Sequence, residues 1–362
     1  LREFDPSPER RIVVAPRTPD AFDRIPKVEL HCHVEGTVRA ATVVELARKA
    51  GRPLSVDEPR ELYRYDSLDS FLAVFWLVQE VLVDRDDWAR IAYESLIDGA
   101  AHGLRYREMF FTPARHLAAG QDLGAIVAGL TDGIERAEAE ADVRCFLIAD
   151  IDKAFGPEAG LELVERLADL RRSGTAGRVI GIGADSTELG VDMRRFAPAY
   201  AAAAGSGLRR TCHAGEAVGV GPENIRIALD VLGAERIDHG IAIVEDPALV
   251  ARVAAERIPL TVCPTSNIVI ANRYPTLAEH PLVAMRDAGL LVTINTDDPA
   301  MMELDLGLEY RRVGEAFGLD LAELGRLALE GVESTWLDES DRTALRTEFE
   351  ASLARQDLPE RS

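Results

Sequence analysis

The residues best suited to chemistry in this chain are histidines and carboxylates at the ends of short apolar runs. The stretch KVELHCHVEGT (27–37) places His31 and His33 two apart. Side chains alternate along a strand, so both imidazoles share one face. CHAGE (212–216) adds His213 and Glu216, RIDHG (236–240) adds Asp238 and His239, and INTDDP (294–299) adds Asp297 and Asp298. Three neutral imidazoles and one carboxylate, His31, His33, His213 and Asp297, form a donor set suited to zinc. Zinc brings the pKa of a bound water down to about 7, which gives a hydroxide nucleophile at neutral pH. Glu216 and His239 are then left for proton transfer beside it. The expected chemistry is metal-assisted hydrolysis with one zinc per chain, needing no activated serine or cysteine. Cys32 and Cys212 adjoin ligands, but alternation turns them to the opposite face, into packing.

These residues need a frame that brings distant segments to one place. Eight strand-like runs supply it: 27–34, 104–111, 143–150, 178–185, 208–215, 235–240, 259–267 and 290–299. Helical periodicity lies between them, as in GLELVERLADLRRSG (160–174) and DPALVARVAAERI (246–258). Alternating strands and helices imply a parallel sheet, and eight units imply an α/β fold of the (β/α)8 TIM-barrel type. Ionisable groups at the C-terminal ends of barrel strands then read as catalytic. Residues 38–103 are too many for one helix, so they are expected to form a helical lid insertion after strand one. Extra C-terminal helices are expected from about residue 317. The Pro-rich, charged first twenty residues read as a loose N-terminal arm (1–20), and 21–362 as one barrel domain.

Composition narrows the partners. The chain has 62 acidic against 41 basic residues, a net charge of −21, which disfavours nucleic acid and anionic membranes. Four scattered cysteines without a CxxC pair read as reduced thiols, and with no apolar h-region or membrane-length run the expected location is cytoplasmic. No pattern encodes an oligomeric state. His33-Val34-Glu35 mimics half of the cytidine-deaminase zinc signature, but the P-C-x-x-C half is absent. The fourth strand, RVIGIGAD, holds no lysine, which argues against a two-metal amidohydrolase acting on a lactone, amide or phosphoester.

HCHVEGT, CHAGE, RIDHG, CPTSN and NTDDP together resemble, in order and spacing, the adenosine deaminase family of the amidohydrolase superfamily. The resemblance covers roughly residues 25–335. It implies hydrolytic loss of the 6-amino group of a small-molecule purine, with adenosine or 2′-deoxyadenosine going to inosine or deoxyinosine plus ammonia. In that scheme His31, His33, His213 and Asp297 bind zinc. Glu216 protonates purine N1, His239 orients and deprotonates the metal-bound water, and Asp298 meets the N7 side.

Two positions depart from the adenosine pattern. Glu35 stands where an Asp usually meets the ribose 5′-hydroxyl. ADSTELG (184–190) stands where LAGDE is usual and places Ser186 near purine N3. Both resemble the adenine deaminase branch, or branches acting on modified adenosines such as aminodeoxyfutalosine. Gly183 is a candidate for close backbone approach to substrate. Phe71, Leu72 and Phe75 resemble an apolar gate over the ligand, with plain helix packing as the alternative. Asp238 is expected to orient a histidine or to form a salt bridge. Ser266 and Asn267, at the end of strand seven, face the mouth or cap the next helix, with capping or loop hydrogen bonds as the favoured reading. His102, His116 and His280 are expected to be structural or superficial.

Overall fold

The computed structural model describes residues 19–56, 59–65 and 68–355, without the side chains of 68–72. The arm read over 1–20 therefore lies almost wholly outside the described residues. Its last member, Asp20, caps the short helix Ala21–Arg24 through the Phe22 amide and pairs with Arg311.

Among the described residues nine strand segments run parallel: β1 (Lys27–Glu29), β2 (Leu104–Phe111), β3 (Arg144–Asp152), β4 (Val179–Asp185), β5 (Arg209–Arg210), β6 (His213–Ala214), β7 (Ile237–His239), β8 (Leu260–Val262) and β9 (Val292–Ile294). They pair in the orders β1-β2-β3-β4-β5 and β6-β7-β8-β9. The two sets join into a ring. Segments β5 and β6 are pieces of one strand, whose Thr211 amide donates to Ile182 (2.9 Å) while Cys212 O accepts from Asp238 N (2.9 Å). At the other seam His33 N donates to Asp297 O (2.9 Å) and Asp297 N to His31 O (3.2 Å). The eight expected strand positions thus form a (β/α)8 barrel.

Two strand expectations are corrected. The first strand is not continuous from 27 to 34: it breaks at Leu30, whose amide donates to the Asn295 side chain (2.8 Å). Pairing resumes at Cys32 and His33 through single bridges to Asp297 and Phe110. The seventh strand stops at Val262, and Pro264–Val269 is a helix instead of strand. Proline suits its first turn, where an amide hydrogen would have no partner.

Between the first two strands lie helices Ala40–Lys49, Leu68–Val81 and Arg85–Ala101, with a 3-10 turn at Pro59–Tyr63. At the C-terminal side, Leu306–Phe317, Leu321–Glu333 and Glu339–Ala354 complete the helical layer. One residue pair below the site, Arg236 and Glu108 form a fully buried ion pair of 2.5 Å. Glu108 also accepts from Tyr106 OH (2.9 Å) and Trp336 N (2.6 Å), while the Arg236 guanidinium lies 4.1 Å from the Trp336 ring centre. Removing one partner of such a pair strands a buried charge and typically costs about 3–5 kcal/mol.

Candidate active site

Four donors converge where the first, fifth and eighth strands end. His31 Nε2 lies 3.3 Å from Asp297 Oδ1, and His33 Nε2 lies 3.4 Å from the same oxygen. The Nε2 atoms of His33 and His213 are 3.2 Å apart. Ligands about 2.0–2.1 Å from a tetrahedral zinc stand about 3.3 Å from one another, so these spacings are those of a coordination polyhedron. His31 Nε2 is buried without a hydrogen-bond partner, as a metal ligand would be. The structure thus brings together the set His31, His33, His213 and Asp297, all buried, and the donor set fits zinc.

The protonation states suit coordination. Burial pushes the His33 imidazole down to about 4, with Asp297 opposing and His31 reinforcing. Burial and the neighbouring imidazoles also hold His213 well below the usual histidine range. Burial opposes ionisation of Asp297, but the imidazoles of His31, His239 and His33 beside it prevail and keep it far below the ordinary carboxylate range.

A supporting layer holds these ligands. Asp238 faces two of them, with Oδ1 3.8 Å from His31 Nδ1 and Oδ2 3.6 Å from His213 Nδ1. Thr261 Oγ1 donates to Asp238 Oδ1 (2.9 Å) and lies 3.0 Å from His31 Nδ1, which donates to it. Ser266 Oγ donates to Asp297 Oδ2 (2.6 Å), from inside the helix that replaces the expected strand end. The Phe110 ring stacks on His33 at 5.1 Å and 25°. Asp297 and His239 both adopt left-handed backbone angles (φ 65° and 61°), uncommon for non-glycine residues and tolerated where the surroundings hold the side chain in place.

Glu216 and His239 face the same space, with Glu216 Oε1 3.6 Å from His239 Nε2. The loop that carries Glu216 is held by Glu188, which accepts from the amides of Gly215 (2.7 Å) and Glu216 (2.9 Å). Arg273 grips it from the other side through the carbonyls of Ala217 (2.7 Å) and Val220 (3.0 Å). Loss of hydration, then the carboxylates Asp297 and Glu188, raises the Glu216 carboxyl well above its usual range. Burial and the charge of Asp297 do the same for Asp298. Asp298 fits only because residue 36 is glycine: a Cβ there would stand 1.9 Å from Asp298 Oδ1.

The other residues expected to contact substrate lie beside or outside this cluster. Glu35 is buried beside the site, where its Oε1 accepts from Thr112 N (2.9 Å) and burial pushes its carboxyl up to about 7. At Gly183 the space a side chain would need is taken by Asp150, whose Oδ1 a Cβ there would meet at 2.1 Å. Ser186 lies exposed on the loop after β4, outside the buried cluster. Phe75 is partly buried and packs on the core, while Phe71 and Leu72 lie outside the described side chains. Contacts replace the capping expected of Ser266 and Asn267, and they keep His280 in a structural place. Ser266 reaches Asp297, Asn267 reaches His239 (3.0 Å), and His280 is buried against Asn267 (3.2 Å).

Several groups around the site were passed over in the sequence. Asp150 Oδ2 is 3.5 Å from His33 Nδ1, and Asp185 accepts from Thr112 Oγ1 (2.5 Å). Lys153 is buried and donates to Ala184 O (3.0 Å). Asp150 and Asp185 end strands three and four, so the rule applied to the other strands would have found them.

A parallel barrel with this buried His/Asp cluster at the C-terminal ends of its strands defines a metal-dependent hydrolase. The family model described as adenosine deaminase matches residues 26–352, and the chain belongs to that family. It is 38% identical over 330 residues to an adenine deaminase of Streptomyces coelicolor, covering 90% of this chain and 95% of that one. Among solved structures, an adenine deaminase from Arthrobacter aurescens superposes with a TM-score of 0.84 at 33% identity, covering 91% and 99% of the two chains. An amidohydrolase from Burkholderia ambifaria with bound Zn superposes with a TM-score of 0.85 at 32% identity, covering 95% and 96%. The protein is therefore a hydrolytic deaminase, and among its described residues no helix is long and apolar enough to cross a membrane.

Proposed function

We propose that this protein converts adenine and water to hypoxanthine and ammonia. The observation that carries the reading is the placement of Glu216 and His239 beside the convergent His31, His33, His213 and Asp297 donors. His31, His33, His213 and Asp297 would hold zinc, which when bound supplies Lewis-acid charge and lowers the pKa of a water to about 7. Glu216, kept protonated by its surroundings, donates its proton to ring N1 and makes C6 electrophilic. Asp298 hydrogen-bonds the N7 side. His239 orients the attacking oxygen toward C6. The new C–O bond forms, the C6–N6 bond breaks, and the amino group leaves as ammonia after taking a proton.

The expectation of adenosine gives way to adenine on two grounds. The relatives at 33–38% identity are named adenine deaminases. Thr112 also bonds both Glu35 and Asp185, on the side where the family resemblance places a ribose. A free base fits that side better than a nucleoside. Incubation of zinc-loaded protein with adenine, followed by ammonia release and the ultraviolet change to hypoxanthine, tests the reading. Absence of both refutes it.

A further inference from the structure

The chain of contacts behind His239 fixes which of its nitrogens carries the proton. His280 Nδ1 accepts a hydrogen bond from the backbone amide of Leu282 (3.1 Å). A nitrogen that accepts from a backbone N–H has no hydrogen of its own, so the proton of neutral His280 sits on Nε2. That Nε2 lies 3.2 Å from Asn267 Oδ1 and donates to it. Asn267 is thereby held with its amide nitrogen turned the other way, 3.0 Å from His239 Nδ1. The reverse orientation would set the Asn267 NH2 against the His280 Nε2–H. His239 Nδ1 therefore receives a hydrogen bond and bears no hydrogen. The remaining proton lies on Nε2, which faces Glu216 Oε1 at 3.6 Å.

We propose that His280 is a positioning residue which, through Asn267, locks His239 in the Nε2–H form, so that His239 acts as a hydrogen-bond donor to the attacking oxygen and not as its base. The anchor is a backbone amide, which cannot change its polarity. Burial supports it by pushing the His280 imidazole down to about 3, so it stays neutral. All three residues are buried, so water does not compete for the relay.

The assignment rests on the functional reading above and changes its proton path. With His239 Nε2 already protonated, the proton lost by the attacking water must go elsewhere. Glu216 provides the place. It gives its proton to N1, becomes a carboxylate and takes the proton of the water as the C–O bond forms. The hydroxyl proton on C6 then passes to the amino nitrogen as the C–N bond breaks, leaving the lactam and ammonia. Protons balance with one shuttle.

The test is nitrogen NMR of zinc-loaded protein labelled with ring-15N histidine, with His239 assigned by its loss in His239→Ala. The expected spectrum shows a His239 Nδ1 without hydrogen and a protonated Nε2. A protonated Nδ1 overturns the proposal, whatever the substrate proves to be. Two variants extend it. Asn267→Asp accepts from both neighbours, so it should move the His239 proton to Nδ1 and lower kcat by on the order of tenfold or more, with KM and zinc content little changed. His280→Leu releases the Asn267 amide and should give a mixed spectrum and a smaller fall in kcat. If Asn267→Asp keeps or raises kcat, His239 is the base and the proposal is wrong. If no 6-aminopurine is turned over, the functional reading fails while the spectrum still decides the tautomer.

Discussion

His33 and His213 point their Nε2 atoms at each other across 3.2 Å, inside a pocket with no room for both to keep a proton. Two unprotonated imidazoles that close repel through their lone pairs. A cation between them turns the repulsion into coordination, and its binding free energy becomes folding stability. Chelation of the metal should lower the midpoint of thermal unfolding by several degrees, and one equivalent of zinc per chain should restore it. Calorimetry of metal-free and reloaded protein checks this, and identical midpoints would argue against a metal at these four residues.

Asp238 serves ligands on both sides of itself and not its sequence neighbour His239. Partners of this kind fix the ring and raise its basicity, and their loss typically costs about 10–100-fold in metal affinity or activity. Asp238→Ala should release zinc at a correspondingly lower chelator concentration, with the secondary structure intact. A competition titration with a chromogenic chelator measures it.

Glu216→Gln keeps the shape of the side chain but removes the acid. General acid–base catalysis contributes about 10²–10⁴-fold, so kcat should fall by that range. Zinc content should stay at one per chain, because Glu216 is not among the convergent donors. Metal analysis beside steady-state kinetics separates the two effects.

His116 is a buried histidine outside the metal-donor cluster. It lies edge-on to Trp88 at 4.7 Å, and burial pushes it down to about 4. In the unfolded chain it titrates near 6.5. Above that value both states are neutral and the group is silent. As pH falls from about 6.5 toward 4, the unfolded chain takes a proton that the folded chain refuses, so stability falls by about 1.4 kcal/mol per pH unit. His116→Phe should flatten urea-derived stability against pH by that slope over this window. An unchanged slope would show that His116 is not held neutral.

The four metal donors were legible because strand alternation and the barrel rule act locally: each motif closes its own strand. What could not be read is set by distant partners. The break at Leu30 depends on a side chain at Asn295, far along the chain. Ser266 and Asn267 reach Asp297 and His239 only because the seventh strand turns into a helix at Pro264, where the apolar run alone continues as strand. The need for glycine at 183 comes from Asp150 on the neighbouring strand, which only the fold brings into the space a Cβ would fill. His280 has no motif of its own, since its part comes from the Leu282 amide and the Asn267 side chain together.

The most direct test of the account compares kcat/KM for adenine, adenosine and 2′-deoxyadenosine on the same zinc-loaded protein. Adenine should be deaminated with a kcat/KM at least tenfold above either nucleoside, because Glu35 and Asp185, bonded through Thr112, stand on the sugar side. A nucleoside preferred over adenine would contradict it.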